Sequence, residues 1–161
     1  MKIFISHSLK DKDLLNEITE RSKIDGIEFL IAEHILEFDK TISQKIKNLI
    51  DQCDVGLILL TKNGLDSHFV GEEIGYLEAK GKLIIRVIEK GLHSQYSGFK
   101  FGSDFIELNP EDPNLAQQQL LEVLLRHKDV IESIRNAWVI AGIVILFLAL
   151  TEKDEALTEE N

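Results

Sequence analysis

Short apolar runs alternate with amphipathic stretches along most of the chain. The apolar runs predict strands at residues 2–6, 27–32, 55–60, 83–88 and, as a short edge strand, 104–108. Apolar residues at helical spacing predict helices at about residues 14–22, 41–53 and 67–80, and a last helix from residue 114 onward. The run at 55–60 has no polar residue, which is typical of a central strand covered on both faces. This alternation predicts an α/β fold with a doubly wound parallel sheet.

Polar residues at the predicted helix starts give candidate caps. Asp11 and Asp13 are candidate N-caps of the first helix, and Asn114 is the expected cap of the last one. The segment Thr41-Ile-Ser-Gln44 has the Thr-x-x-Gln form of a capping box.

The hydrophobic pattern changes near the C-terminus, where residues 136–151 carry no charge. We divide the chain into a domain at 1–128, a linker or helix extension at 129–136, a hydrophobic helix at 137–151 and an acidic tail at 152–161. Basic residues precede the uncharged run, so residues 137–151 are predicted to anchor the domain on the cytoplasmic face of a membrane. The alternative is a hydrophobic helix buried in an oligomer or against the domain.

The composition narrows the classes of partner. The chain has 161 residues, enough for one domain with an appendage, and a net charge of −10. Nucleic acids attract clustered Lys and Arg, so this charge argues against a nucleic-acid partner. The single cysteine, Cys53, excludes an internal disulfide and falls at an apolar helical position, which favours a buried thiol in a reducing compartment. No charged segment followed by a long apolar run precedes the first strand, so we expect no signal peptide.

An aromatic residue and a carboxylate mark the start of the third predicted helix. Phe69 and Glu73 are four residues apart and therefore lie on one helical face. In open α/β sheets, ligands bind at the carboxyl ends of the strands, where this helix begins. A ring and an acid in this place can hold a ribose and its leaving base. The alternative is that Glu73 only complements the helix dipole and that Phe69 belongs to the core.

Three histidines follow predicted strands and so belong to the same end of the sheet. His7, His34 and His68 are candidates for nucleotide contact, although solvated loop histidines are the simplest interpretation. They lack the close spacing of common metal ligands, so we expect no metal site. The sequence has neither a nucleophile elbow nor a P-loop, which disfavours a serine hydrolase and a P-loop NTPase.

Three segments together resemble a known family. Phe4-Ile-Ser-His-Ser8 ends the first strand, Ala32-Glu33-His34 leaves the second, and Asp66-Ser-His-Phe-Val-Gly-Glu-Glu-Ile-Gly75 follows the third. In this order and spacing they resemble the Toll/interleukin-1 receptor (TIR) domain, particularly its prokaryotic branch, over about residues 1–128. The resemblance implies a flavodoxin-like fold. It also implies one of two functions, which are signalling by a scaffold and cleavage of NAD.

The resemblance also implies roles for individual residues. Glu73 matches the catalytic glutamate of the NAD-cleaving members, and Phe69 matches an aromatic position that is commonly Trp. Glu33 matches an acidic position in the loop after the second strand. His7 and Ser8 fall where the first loop of the family lines the nucleotide site, without the Arg that some enzymatic members have there.

The leading hypothesis is therefore an NAD glycohydrolase or cyclase that acts in anti-phage or immune signalling. It would break the nicotinamide–ribose bond and release nicotinamide with ADP-ribose or a cyclic isomer. NAD would be its substrate, with no cofactor or metal, and homotypic assembly would be its mode of association. A non-catalytic TIR scaffold is the second hypothesis, and a nucleoside or nucleotide N-glycosyl transferase that uses Glu73 in the same way is the third.

Overall fold

The computed structural model describes residues 1–20, 24–31, 44–65, 67–95 and 105–158, and it describes His68 and residues 146–158 by their backbone alone. The predicted site residues Glu33 and His34, and most of the predicted capping box, lie outside this part of the chain.

The described part of the chain contains a sheet of five parallel strands in the order β2-β1-β3-β4-β5. The strands are β1 (Lys2–Ser6), β2 (Glu28–Ile31), β3 (Val55–Leu60), β4 (Leu83–Glu89) and β5 (Ile106–Leu108). All four neighbouring pairs are parallel. This order is the doubly wound arrangement of flavodoxin-like folds, so the predicted fold class is confirmed.

The helices lie close to their predicted positions. They are α1 (Lys12–Glu20), α2 (Gln44–Gln52), α3 (His68–Ala79) and α4 (Asn114–Thr158), and a 3₁₀ turn at Leu9–Asp11 precedes α1.

The predicted helix caps are wrong in two places. Asp11 belongs to the 3₁₀ turn and its side chain points to other partners, described below. Asn114 is already helical, and the Asp112 carboxylate accepts hydrogen bonds from its backbone N–H at 3.4 Å and its side-chain amide at 2.6 Å. Asp112, two residues before Asn114, therefore accepts the backbone N–H at the start of α4.

One face of the sheet packs against α2 and α3. Strand side chains alternate between faces, so Phe4 of β1 and Ile58 and Leu60 of β3 project to the same side. They form a core cluster with buried residues of the helices, of β4 and of the connection between α2 and β3, namely Ile46, Ile50, Cys53, Val70, Ile74, Leu77 and Ile88. The expected burial of Cys53 is confirmed, and burial raises the pKa of its thiol.

Helices α1 and α4 are also in contact with each other. Leu15 and Ile18 of α1 and Leu120 of α4 are buried. The Gln117 side chain donates a hydrogen bond of 2.9 Å to the backbone carbonyl of Glu17, which joins α4 to α1.

Strand β3 is buried along its whole length, as the absence of polar residues predicted.

Gly56 allows α3 to approach β3 closely. A Cβ atom at this position would lie 2.7 Å from Cδ1 and 2.9 Å from Cδ2 of Leu77. We expect Gly56→Ala to lower the free energy of unfolding by about 1–3 kcal/mol, because the packed core must move to admit the methyl group. Urea unfolding measures this effect. Gly75→Ala is the control, because Gly75 is an exposed residue of α3 with no atom near its would-be Cβ. Equal stability of Gly56→Ala and the wild type would contradict the close approach.

Residues 1–124 and 125–161 form two compact units. The segment 137–151 is helical, as part of α4. Within the part of the chain that the structure describes, no helix combines the length and the apolar character needed to cross a membrane, so the predicted membrane anchor is not supported.

Candidate functional site

The candidate site lies where β1 and β3 end. Strand β2 pairs with one side of β1 and β3 pairs with the other. The carboxyl ends of β1 and β3 therefore form the topological switch point of the sheet. Doubly wound folds bind ligands in the crevice outside the carboxyl ends of such strands. Ser6 and His7 leave β1 here, Thr61 leaves β3, and α3 begins nearby.

Glu73 projects from α3 toward the core. Val70, Glu73, Ile74 and Leu77 occupy positions i, i+3, i+4 and i+7, which form one helical face, and all four are buried. The Glu73 side chain has no exposed surface. The sequence thus places a carboxylate where the helical pattern calls for an apolar residue.

The pKa of Glu73 is strongly perturbed. Burial raises the pKa to about 7, since it disfavours the charged form. A hydrogen bond from the Ser6 side chain lowers it in part, and the neighbouring charge of Glu72 raises it further. Ser6 shares its sheet face with Phe4, which directs its hydroxyl toward α3. Near neutral pH, Glu73 therefore exchanges between its neutral and its charged form.

Phe69 lies one helical turn before Glu73, in the first turn of α3, and is half-buried. The two residues share one side of the helix, as their spacing predicted. His68 begins the same helix, and only its backbone is described. The roles predicted for Phe69 and His68 stay predictions.

A pocket of about 330 Å³ opens beside the end of β1. Its lining combines apolar side chains with two lysines and a histidine: His7, Leu9, Lys12, Leu15, Asn16, Ile31 and Lys45. His7 is only 3% exposed, so the interpretation as a solvated loop histidine is wrong for this residue. Two ammonium groups in one pocket are suited to an anion such as a phosphate.

Ser8 has a local structural contact. Its side chain accepts a hydrogen bond of 3.4 Å from the backbone N–H of Lys10 and caps the 3₁₀ turn. Ser8 is buried and is not among the residues that line the pocket. The structure therefore brings His7, but not Ser8, to the pocket wall.

Sequence reasoning missed Ser6, Lys12 and Lys45. Ser6 is part of the strand pattern, and its contact with Glu73 depends on packing between β1 and α3. The two lysines come from different helices, α1 and α2, so no local motif joins them. Apart from the family resemblance, the signals that pointed to Glu73 were its helical spacing from Phe69 and its place just after the third strand.

The sequence matches the family described as TIR domain over residues 3–121. The chain belongs to the TIR domain family. This confirms the resemblance that the three segments carried. The TIR domain of this chain is also similar in fold to the TIR domains of the activated Roq1 resistosome, which directly recognizes the pathogen effector XopQ. That likeness has a TM-score of 0.57 at 15% identity and covers 75% of this chain and 97% of the other.

The TIR domain also has similar relatives among curated proteins. Catabolite control protein A of Staphylococcus aureus (strain N315) is 30% identical over 115 residues, which are 71% of this chain and 29% of that protein. Catabolite control protein A of Staphylococcus xylosus is 30% identical over 120 residues, which are 74% and 32% of the two chains. The chain thus spans less than a third of the length of these relatives.

Proposed function

We propose that this TIR domain cleaves NAD at the nicotinamide–ribose bond, with Glu73 as the catalytic residue. The observation that supports this most strongly is a carboxyl group with a pKa of about 7, buried at the switch point of the sheet. Carboxylates with strongly raised pKa values occur preferentially at functional sites. The family includes both NAD-cleaving enzymes and signalling scaffolds, and the buried carboxyl group is the feature that favours the enzyme.

The chemistry requires one well-placed negative charge. Nicotinamide leaves as a neutral base from a cationic ring, so the departure needs little acid catalysis. The transition state has the oxocarbenium character known from glycoside hydrolysis. In its charged form, Glu73 would hold the ribose hydroxyls and face the developing positive charge on the ribose. Phe69 would pack on the base or the ribose.

The pocket beside β1 offers a place for the diphosphate of NAD. Lys12 and Lys45 supply two positive charges there, and His7 connects this pocket to Ser6 along the chain. Glu73 has no exposed surface, so the ribose can reach its carboxylate only if the residues around the carboxyl ends of β1 and β3 rearrange locally.

Removing a pocket lysine should weaken the binding of NAD. We expect Lys45→Ala to raise KM for NAD about tenfold and to leave kcat nearly unchanged, because a charge-assisted contact to a phosphate is worth about 1.5–3 kcal/mol and lies away from the reacting bond. Steady-state kinetics measure both constants. The control is Lys47→Ala, on the same helix but outside the pocket lining. An unchanged KM in Lys45→Ala would exclude this placement of the diphosphate.

The experiment that tests the proposed function is incubation of the full chain with NAD, followed by chromatography of the products. Release of nicotinamide supports the proposal, and the accompanying product distinguishes ADP-ribose from a cyclic isomer. Deoxynucleosides, supplied in place of NAD, test the related N-glycosyl transferase. No release at any protein concentration would contradict cleavage of NAD.

A signalling scaffold that acts through homotypic assembly is the second candidate. The similar fold of TIR domains in the Roq1 resistosome favours it, because a resistosome is an assembled state. A scaffold would form ordered oligomers, and Glu73→Gln would leave those oligomers unchanged. Light scattering of both proteins, with and without NAD, separates the two candidates.

A further inference from the structure

A buried polar cluster joins two loops at the edge of the candidate site. Asp11 is 3% exposed and Thr61 is 1% exposed. The Asp11 carboxylate accepts a hydrogen bond of 2.6 Å from the Thr61 hydroxyl and another of 2.6 Å from the side-chain amide of Asn63. The Thr61 hydroxyl in turn accepts a hydrogen bond of 3.1 Å from the backbone N–H of Asn63. Each carboxylate oxygen of Asp11 thus has a partner on the loop after β3.

The two segments that this cluster joins both reach the candidate site. Asp11 ends the 3₁₀ turn after β1, and Leu9 in the same turn and Lys12 directly after it line the pocket. Thr61 begins the loop that leads from β3 to α3, the helix that carries Glu73.

The loop after β3 is itself a short chain of turns. The backbone N–H of Gly64 donates to the carbonyl of Thr61 at 3.0 Å, and that of Ser67 donates to the carbonyl of Gly64 at 3.0 Å. These two bonds link Thr61 through Gly64 to Ser67, which immediately precedes α3.

A buried carboxylate is stable only while its hydrogen bonds are made, and hydrogen bonds to a charged group are the stronger kind. The Asp11 cluster will therefore keep the loop after β3 closed against the 3₁₀ turn. If the cluster is broken, part of the protein population will have the loops apart. A ligand that needs the closed arrangement then binds with an affinity reduced by the fraction that remains closed.

We propose that Asp11 is a positioning residue, which ties the loop after β3 to the 3₁₀ turn after β1 and so holds the pocket and the start of α3 in the arrangement that binds NAD. Its kinetic consequence rests on the proposed function, whereas the tie between the loops does not. A role in global stability alone would leave KM unchanged at temperatures where the variant is folded.

The test exchanges the two polar partners. Asn63→Asp places a second carboxylate against that of Asp11, and like charges at hydrogen-bond distance repel. The double variant Asp11→Asn with Asn63→Asp restores one amide and one carboxylate in reversed order, and the Thr61 hydroxyl can still donate to the amide oxygen at position 11. Asn48→Asp, which adds the same charge at an exposed position of α2, is the control.

We expect Asn63→Asp at about pH 8 to raise KM for NAD about five- to tenfold with kcat within about twofold, and the double variant to return KM to within about twofold of the wild type. Hydrogen exchange of the backbone amides of Asn63, Gly64 and Ser67 should accelerate in Asn63→Asp and recover in the double variant. Thr61→Val serves as a second variant if Asn63→Asp does not fold. It keeps the side-chain shape but removes both the bond to Asp11 and the bond accepted from the backbone N–H of Asn63, so only the amides of Gly64 and Ser67 are its readout.

The two measurements separate the two proposals. Hydrogen exchange needs no activity, so it decides the tie between the loops even if the wild type does not cleave NAD. Unchanged exchange in Asn63→Asp or Thr61→Val, or a double variant no better than Asn63→Asp, would overturn the role of Asp11. The enzyme could instead be active and show the expected change in hydrogen exchange but an unchanged KM for NAD. That result would overturn the role of Asp11 in positioning the site.

Discussion

Replacing Glu73 with glutamine is expected to slow the release of nicotinamide from NAD by about two to three orders of magnitude. The substitution keeps the size of the side chain and its capacity to accept a hydrogen bond from Ser6. It removes the negative charge that would face the ribose cation in the transition state. Because that interaction strengthens as the bond breaks, kcat should fall with kcat/KM and KM should change little.

The control for this variant is Glu78→Gln on the same helix. Glu78 is exposed and its carboxylate lies 3.7 Å from the Arg86 guanidinium, outside the candidate site. It should retain the wild-type rate of nicotinamide release. Circular dichroism and the unfolding midpoint verify that both variants are folded. A Glu73→Gln protein that keeps more than about a tenth of the wild-type rate would show that the charge of Glu73 is not catalytic.

The same substitution should stabilise the protein at alkaline pH. Glu73 has an ordinary pKa near 4.5 in the unfolded chain and about 7 in the folded protein. The folded state therefore binds the proton more tightly, and stability is lost as the pH rises from about 4.5 to about 7. This difference in pKa corresponds to about 3 kcal/mol, because each pKa unit is worth about 1.4 kcal/mol. Glutamine carries no charge and avoids this loss.

Urea unfolding at several pH values measures the effect. Relative to the wild type, Glu73→Gln should gain about 3 kcal/mol in the free energy of unfolding between pH 4.5 and pH 8. The gain should occur mainly below pH 7 and then level off. A constant difference between the two proteins across this range would contradict the raised pKa of Glu73.

The sheet was predictable because its signals are local. Each strand is a run of apolar residues, and the run at 55–60 showed by its lack of polar residues that β3 is buried on both faces. The placement of Glu73 was predictable for two reasons. The family motif contains it, and the helical spacing from Phe69 gives its side of the helix.

The rest of the site depends on contacts between residues far apart in the chain. Asp11 and Asn63 are 52 positions apart, and only the fold shows that their side chains meet. Local rules instead assigned Asp11 to a helix cap, since Asp is a common capping residue. Ser6 and Lys45 could not be predicted as site residues either. Ser6 fits the residue pattern of β1 and Lys45 fits that of α2, so neither residue needs a functional site to explain its presence.

If the charged form of the buried Glu73 cleaves NAD as proposed, kcat/KM for nicotinamide release must depend on pH, and this dependence is the most direct test. The pH dependence of kcat/KM reports the ionisation of groups in the free enzyme, so its midpoint should equal the pKa of Glu73. We expect kcat/KM to rise tenfold per pH unit below about pH 7 and to reach a plateau above it. A profile that is flat across this range, or one that falls as the pH rises through 7, would contradict the claim.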